Sequence, residues 1–109
     1  MDITVKDLQD YLSDRYGDWA SEQSLFMKLV EEMGEVAEVL NKRAGRKSSD
    51  GENLQEALGT ELADLIHYAV AIAAINDVDL TGIMLEKDRR ASVKYHHEIN
   101  FETFLNGRK

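Results

Sequence analysis

The sequence contains no cysteine and no proline, and it has only seven glycines. The missing cysteines exclude a disulfide framework, a thiol nucleophile and a cysteine-ligated zinc site. A chain without proline has no obligatory helix breaker, and the shortage of turn residues argues against sandwiches and small barrels. We see no apolar run that approaches a membrane span, and the N-terminus has neither the basic start nor the apolar core of a secretory signal. We therefore expect a cytoplasmic protein without a membrane partner.

The composition that remains is that of one globular domain. The chain has 109 residues, of which 43% are hydrophobic and 31% charged, a balance unlike that of disordered or membrane-spanning chains. The formal net charge of −8 repels phosphate backbones, so we expect no nucleic-acid partner. A domain of this size buries a modest core, which makes association with further copies a natural supplement.

The hydrophobic pattern predicts an all-α protein with four helices followed by a tail. The expected helices cover residues 4–16, 22–44, 53–76 and 81–96, and the tail covers residues 98–109, which either dock or are partly mobile. Thr4, Ser21 and Thr81 are the expected N-caps, and Gly17 and Gly45 end the first two helices. The sequence shows no internal repeat and no interdomain linker, so the prediction is a four-helix bundle in a single domain over residues 1–109.

Two acidic clusters lie on the second and third predicted helices. The first is Glu31-Glu32-x-x-Glu35 and the second is Glu61-x-x-Asp64. Residues three apart are neighbours on a helix, and on a helical wheel Glu32 and Glu35 border the apolar face. That face is expected to contain Leu25, Leu29, Met33, Val36, Ala37 and Leu40. Acids beside apolar surface need a counter-charge, and a hard divalent cation with several oxygen ligands supplies one.

Three other interpretations of the acids compete with a divalent-cation site. The acids could serve only solubility in a non-enzymatic helical interaction module with a solvated acidic face, which predicts no nucleotide turnover. Asp64-x-x-His67 mimics half of a di-iron bundle site, but the sequence has no second motif of that kind. An EF-hand fails because residues 50–53 lack the alternating ligands of a calcium loop.

Glu31-Glu32-x-x-Glu35, 25 intervening residues and Glu61-x-x-Asp64 together resemble the EExxE…ExxD signature of MazG-type all-α nucleoside triphosphate pyrophosphohydrolases. The resemblance implies Mg²⁺-dependent hydrolysis of an NTP or dNTP to the monophosphate and pyrophosphate, with Mn²⁺ as a substitute ion. It also implies a house-cleaning role toward the nucleotide pool. By motif position it assigns the metal to Glu32, Glu35, Glu61 and Asp64.

The same resemblance suggests roles for residues around the two motifs. Glu31, with Glu38 as the alternative, would orient or deprotonate the attacking water. Lys87 and Arg90 resemble basic K-x-x-R positions of the family that bind the β- and γ-phosphates; the alternative is an ordinary basic surface patch. Trp19 either stacks on the nucleobase or packs the first helix onto the bundle. We interpret His67 as a helix-packing residue.

The third predicted helix is apolar on almost all sides from Leu62 to Ile75, more than one thin bundle can cover. We expect Leu58, Leu62, Leu65, Ala69 and Ile72 to face the bundle. A second face is then left for a partner copy, and its expected residues are Ala63, Val70, Ala71 and Ala74. The resemblance also implies assembly as a dimer or a dimer of dimers. We therefore expect a homodimer or homotetramer.

Overall fold

The computed structural model describes residues 1–108, and the regular secondary structure of this part of the chain consists of helices, without strands. The helices are Val5–Tyr16 (α1), Glu22–Arg43 (α2), Leu54–Ile75 (α3), Leu80–Lys94 (α4) and Phe101–Gly107 (α5). The predicted all-α class is confirmed. The fifth helix lies inside the segment that the sequence treats as a tail.

Side-chain caps fix where the helices begin. Thr4 and Asp7 form a capping box at the start of α1, and Ser21 accepts a hydrogen bond from the Ser24 amide at the start of α2. The prediction for α4 is wrong. Asp79, not Thr81, is the N-cap, because its carboxylate accepts from the Gly82 amide at 3.1 Å. The Thr81 hydroxyl is instead buried inside the first turn of the helix.

Residues 1–77 form one compact unit, in which α3 packs against both α1 and α2. The connection between α2 and α3 is closed by an ion pair, with Lys42 Nζ 2.9 Å from Glu52 Oε1. Because the connection is too short to lead the chain back along the length of α2, and α3 packs against α2, the two helices run antiparallel. The buried side chains of this unit are Leu12, Tyr16, Leu25, Val39, Val70, Ala71, Ala73 and Ala74.

The structure corrects the expected faces of α3. Val70, Ala71 and Ala74 are buried in the single chain, with 4%, 0% and 4% of their surface exposed, so they cannot await a partner copy. Ala63 is exposed, as expected for the second face. Leu62 and Ala69, which were expected to face the bundle, are exposed, and so is Ile66. The reason is that α3 is covered on two sides by α1 and α2, and small side chains let neighbouring helices approach closely.

The apolar face of α2 is also divided differently. Leu25 and Val39 are buried, but Met33 and Leu40 are about half exposed, at 55% and 48%. Phe26 and Leu40 directly follow the buried Leu25 and Val39, and the exposed apolar residues of α2 repeat with spacings of four and three. We call this row the α2 stripe: Phe26, Val30, Met33, Ala37 and Leu40.

Helix α3 has the length and the apolar composition of a membrane span, contrary to the sequence expectation. Only 22% of the most apolar 18-residue stretch of this helix is buried within the chain. The helix also carries Glu61 and Asp64, and carboxylates are costly in a lipid interior. A core helix of a larger assembly meets the same criteria, so length and composition alone do not assign α3 to a membrane.

The chain from Val78 onward forms a second compact unit that contains α4 and α5. The first amide of α5, from Phe101, donates to the Asp88 carboxylate at 2.6 Å, and α5 contacts α4. Within residues 98–108 the tail therefore docks on α4, whereas Lys109 lies outside the described residues. The organisation of all 109 residues as a single domain stays a prediction.

Candidate metal and nucleotide site

Three carboxylates from two helices converge in the first unit. One ligand oxygen each from Glu32 on α2 and from Glu61 and Asp64 on α3 lie within 4.8 Å of one another. The antiparallel pairing of α2 and α3 brings them together, and the three-residue spacing on α3 places both of its acids on one side. Divalent cations such as Mg²⁺ prefer carboxylate oxygens in this kind of arrangement.

The surroundings of Glu32 disfavour its charged form. Its Oε2 atom is buried and has no hydrogen-bond partner. A hydrogen bond that the protonated form shares with Glu61, together with burial and the charges of Asp64, Glu61 and Glu35, raises the pKa of Glu32 to about 7. An orphaned carboxylate oxygen among other acids is a fitting ligand for a hard cation, which would replace the missing positive charge.

Glu31 and Glu35 of the first motif, and the nearby Glu38, lie outside the group of three. Glu35 is exposed, one turn after Glu32, and close enough for its charge to act on the Glu32 pKa. Glu31 lies 3.5 Å from Lys28 Nζ, and Glu38 lies 3.7 Å from Lys47 Nζ. Both contacts are exposed ion pairs that break at little cost, so neither holds its carboxylate away from a ligand.

A cavity of about 510 Å³ opens beside the carboxylates. Lys28 precedes Glu32 by one helical turn and Tyr68 follows Asp64 by one turn, which places the cavity roughly 6 Å along the helices from the acids. Its lining residues are Tyr16, Trp19, Ala20, Ser21, Ser24, Leu25, Lys28 and Tyr68. This lining combines aromatic rings with one cation and two serine hydroxyls, a chemistry suited to a nucleobase and an attached phosphate.

Trp19 lies at the edge of this cavity. Its indole nitrogen donates to the Arg15 carbonyl at 2.8 Å, and its ring centre lies 5.6 Å from that of Tyr16. The residue is nevertheless 72% exposed, so it is available to a ligand as well as packed on α1. Tyr16 and Tyr68 were not predicted from the sequence, although the one-turn spacing of Tyr68 from Asp64 was a usable signal.

His67 packs between α1 and α3. Its Nε2 atom lies 2.8 Å from the Tyr16 hydroxyl oxygen, and the two rings meet edge to face. Burial and the nearby positive charge of Arg15 lower the pKa of His67, so the ring is neutral at pH 7. Its ring nitrogen faces a tyrosine, and His67 is outside the carboxylate group.

Lys87 and Arg90 lie on α4, in the second unit. Lys87 is exposed, and Arg90 Nε donates to Glu86 at 3.0 Å. Arg89 donates to the same carboxylate at 2.7 Å. Hydrogen bonds from Arg89, which has the larger effect, and from Arg90 lower the pKa of Glu86 to about 2. The role of Lys87 and Arg90 toward phosphates stays a prediction.

Comparison with known families gives one match. The family model of the MazG nucleotide pyrophosphohydrolase domain matches residues 20–94. This range includes both acidic motifs, the cavity residue Tyr68 and the basic positions of α4. Neither the curated proteins nor the solved structures gave a match.

Proposed function

The chain belongs to the MazG nucleotide pyrophosphohydrolase domain family, and from this premise we propose that it hydrolyses nucleoside triphosphates or deoxynucleoside triphosphates to monophosphates and pyrophosphate with the help of Mg²⁺. The observation that carries the proposal is the convergence of Glu32, Glu61 and Asp64 around a buried, unpartnered carboxylate oxygen. Members of the family act on nucleotides and generally use a divalent metal, and this cluster offers the ligands.

The proposed metal ligands are Glu32, Glu61 and Asp64, with Glu35 completing the set from the next turn of α2. When bound, Mg²⁺ supplies positive charge that neutralises phosphate oxygens and acidifies water. Mn²⁺ prefers similar oxygen ligands and is expected to substitute. The carboxylates and the triphosphate are both negatively charged and repel each other, so the triphosphate can approach the acidic cluster only where a cation offsets that repulsion. The carboxylates would therefore determine where the triphosphate binds.

Glu31 is the proposed residue that orients, or takes a proton from, the water that attacks the α-phosphorus. Attack there breaks the bond between the α-phosphorus and its bridging oxygen, and pyrophosphate leaves. Glu31 is exposed and weakly paired with Lys28, so it is free to turn toward a bound substrate. Glu38 is the alternative, and it is held by Lys47 to a similar extent.

The cavity between Trp19 and Tyr68 is the proposed nucleobase site. Aromatic rings stack on any base, because every base presents a π-face. Lys28 at the near wall would contact the phosphate chain between the base and the carboxylates. We propose that Lys87 and Arg90 bind the β- and γ-phosphates, and that the activity serves house-cleaning of the nucleotide pool in the cytoplasm.

The proposed assembly is a homodimer, or a homotetramer built from dimers, that covers the α2 stripe. The stripe repeats with the four-three spacing of a helix seam and is exposed in the single chain. The α2 stripe and the exposed residues Leu62 and Ile66 of α3 present apolar surface to water, which is unfavourable. A second copy offers the same surface by two-fold symmetry.

A panel of NTPs and dNTPs, assayed for pyrophosphate release with Mg²⁺ and with EDTA, tests the reaction. We expect pyrophosphate release in the presence of Mg²⁺ and no release in EDTA. For Asp64→Ala we expect kcat to fall by about 100-fold or more, while the helical circular dichroism spectrum stays unchanged. Asp14→Ala, an exposed acid on α1, is the matched control and keeps wild-type turnover. Absence of turnover on every nucleotide would instead favour the helical interaction module.

A further inference from the structure

The hydrogen bond between His67 and Tyr16 joins two helices that are distant in the sequence. The two residues are 51 positions apart, and the Nε2–Oη distance is 2.8 Å. Tyr16 is 8% exposed, so its hydroxyl has little water to bond to if His67 is removed. A buried hydroxyl that loses its partner carries a desolvation cost, so the contact holds the Tyr16 ring in one orientation.

The orientation of Tyr16 matters because the ring lines the cavity, whereas His67 does not. Tyr16 also touches Trp19, with 5.6 Å between ring centres at an angle of 55°. A shift of the Tyr16 ring would therefore move the surface against which Trp19 is packed. His67 thus reaches the cavity through two aromatic neighbours rather than through a contact of its own.

We propose that His67 is a positioning residue that fixes Tyr16, and through it Trp19, as the rigid aromatic wall of the nucleobase cavity. The inference rests on the proposed function, because that function assigns the nucleobase to this cavity. Rings that are already ordered bind a flat base without a further ordering cost. Removal of the hydrogen bond therefore weakens base binding and leaves the carboxylates, which lie outside the cavity lining, unchanged.

Two measurements on the same proteins test this role. The first is the dissociation constant of nucleoside monophosphates, followed by the fluorescence of Trp19, the single tryptophan of the chain. The second is the steady-state kinetics of pyrophosphate release. For His67→Leu we expect about a five- to tenfold rise in both the dissociation constant and KM, with kcat within about twofold of the wild type.

The hydrogen bond itself is tested by three further variants. Tyr16→Phe is expected to match His67→Leu, and the double variant to be no weaker than either single one, because both remove the same contact. His67→Gln keeps a polar group near the Nε2 position and recovers part of the affinity. Tyr95→Phe, an exposed tyrosine of the second unit, is the control.

The outcomes separate this proposal from the proposed function. Weaker monophosphate binding in the variants, in a protein that turns over no triphosphate, supports the positioning role and contradicts the reaction. Normal turnover in the wild type with unchanged KM and dissociation constant in His67→Leu overturns the positioning role alone. A loss of thermal stability and kcat at constant KM also overturns it, because it indicates a structural role only.

Discussion

A carboxylate at position 32 is costly to the folded chain unless a proton or a cation accompanies it. The side chain extends from α2 toward two acids of α3, and one of its oxygens is buried without a donor. Removing a polar atom from water without a replacement partner costs about 1–3 kcal/mol. The folded chain is therefore less stable when this carboxylate is charged and no cation accompanies it.

This cost predicts how the stability of the metal-free protein depends on pH. The pKa of Glu32 is about 7 in the folded chain and 4.5 in the unfolded chain, so between these values the folded state binds more protons. Stability therefore falls as the pH rises from about 4.5 to 7 and is flat above. We expect a loss of about 1–2 kcal/mol, below the full shift because solvent reaches the cluster.

Thermal unfolding in EDTA at pH 5 and pH 8 measures this effect. Glu32→Gln is expected to remove most of the decrease in melting temperature between the two pH values, and Mg²⁺ at pH 8 is expected to restore the stability of the wild type. Glu98→Gln, an exposed acid of the second unit, serves as the control. An equal pH dependence in the wild type and in Glu32→Gln would contradict the assignment of the raised pKa.

At the scale of the elements, α4 allows a matched comparison of two arginines. Arg89 and Arg90 are both exposed and both donate to Glu86, but only Arg90 belongs to the Lys87-x-x-Arg90 pattern. We expect Arg90→Ala to raise KM for triphosphates about tenfold, the size of a lost charged hydrogen bond, without changing base preference.

Arg89→Ala is expected to leave KM nearly unchanged, because its ion pair with Glu86 is exposed and of little energetic value. Both variants are measured by steady-state pyrophosphate release over several bases. If both variants have the same KM and kcat as the wild type, Lys87 and Arg90 do not bind the phosphates and form only an ordinary basic surface patch.

The helices were predictable from the sequence where one signal dominated. Thr4, Ser21 and Asn53 are strong N-caps that precede clear helical patterns, and each caps its helix as its residue type favours. The start of α4 was mispredicted because Asp79 and Thr81 are both good caps two residues apart. Only the geometry of the preceding turn selects between them.

The faces of α3 and the aromatic cavity were not predictable for a different reason. A helix that is apolar on nearly every side has no dominant hydrophobic face, so the pattern cannot tell which residues are covered. Tyr16 and Tyr68 meet the same cavity only after α1 has packed on α3. The acidic pairs, in contrast, were visible as a local spacing, and the structure brings three of the four together.

At the scale of the whole molecule, the exposed α2 stripe predicts association. We expect light scattering at micromolar concentration to give at least about twice the chain mass of 12.4 kDa. Met33→Glu, at a half-exposed position of the stripe, is expected to give a helical monomer, because a buried unpaired charge opposes the interface. Ala71, which the sequence placed on the partner face, is buried in the single chain, so Ala71→Glu would disrupt the fold and would not report on association.

Val93→Glu, at an exposed position of α4, is the control that separates the stripe from other apolar surface. It is expected to leave the mass unchanged. A wild-type mass of 12.4 kDa, or a dimer that persists in Met33→Glu and dissociates in Val93→Glu, would remove the stripe from the interface.

The short connection closed by Lys42 and Glu52 predicts an order of folding events. Closing a loop of about ten residues takes roughly 10–100 ns, so α2 and α3 can pair early. Docking of α1 brings together Tyr16 and His67, which are 51 positions apart, and costs more chain entropy. We expect pulse-labelled hydrogen exchange to protect α2 and α3 before α1. With no proline in the chain, none of these steps waits for peptide-bond isomerisation.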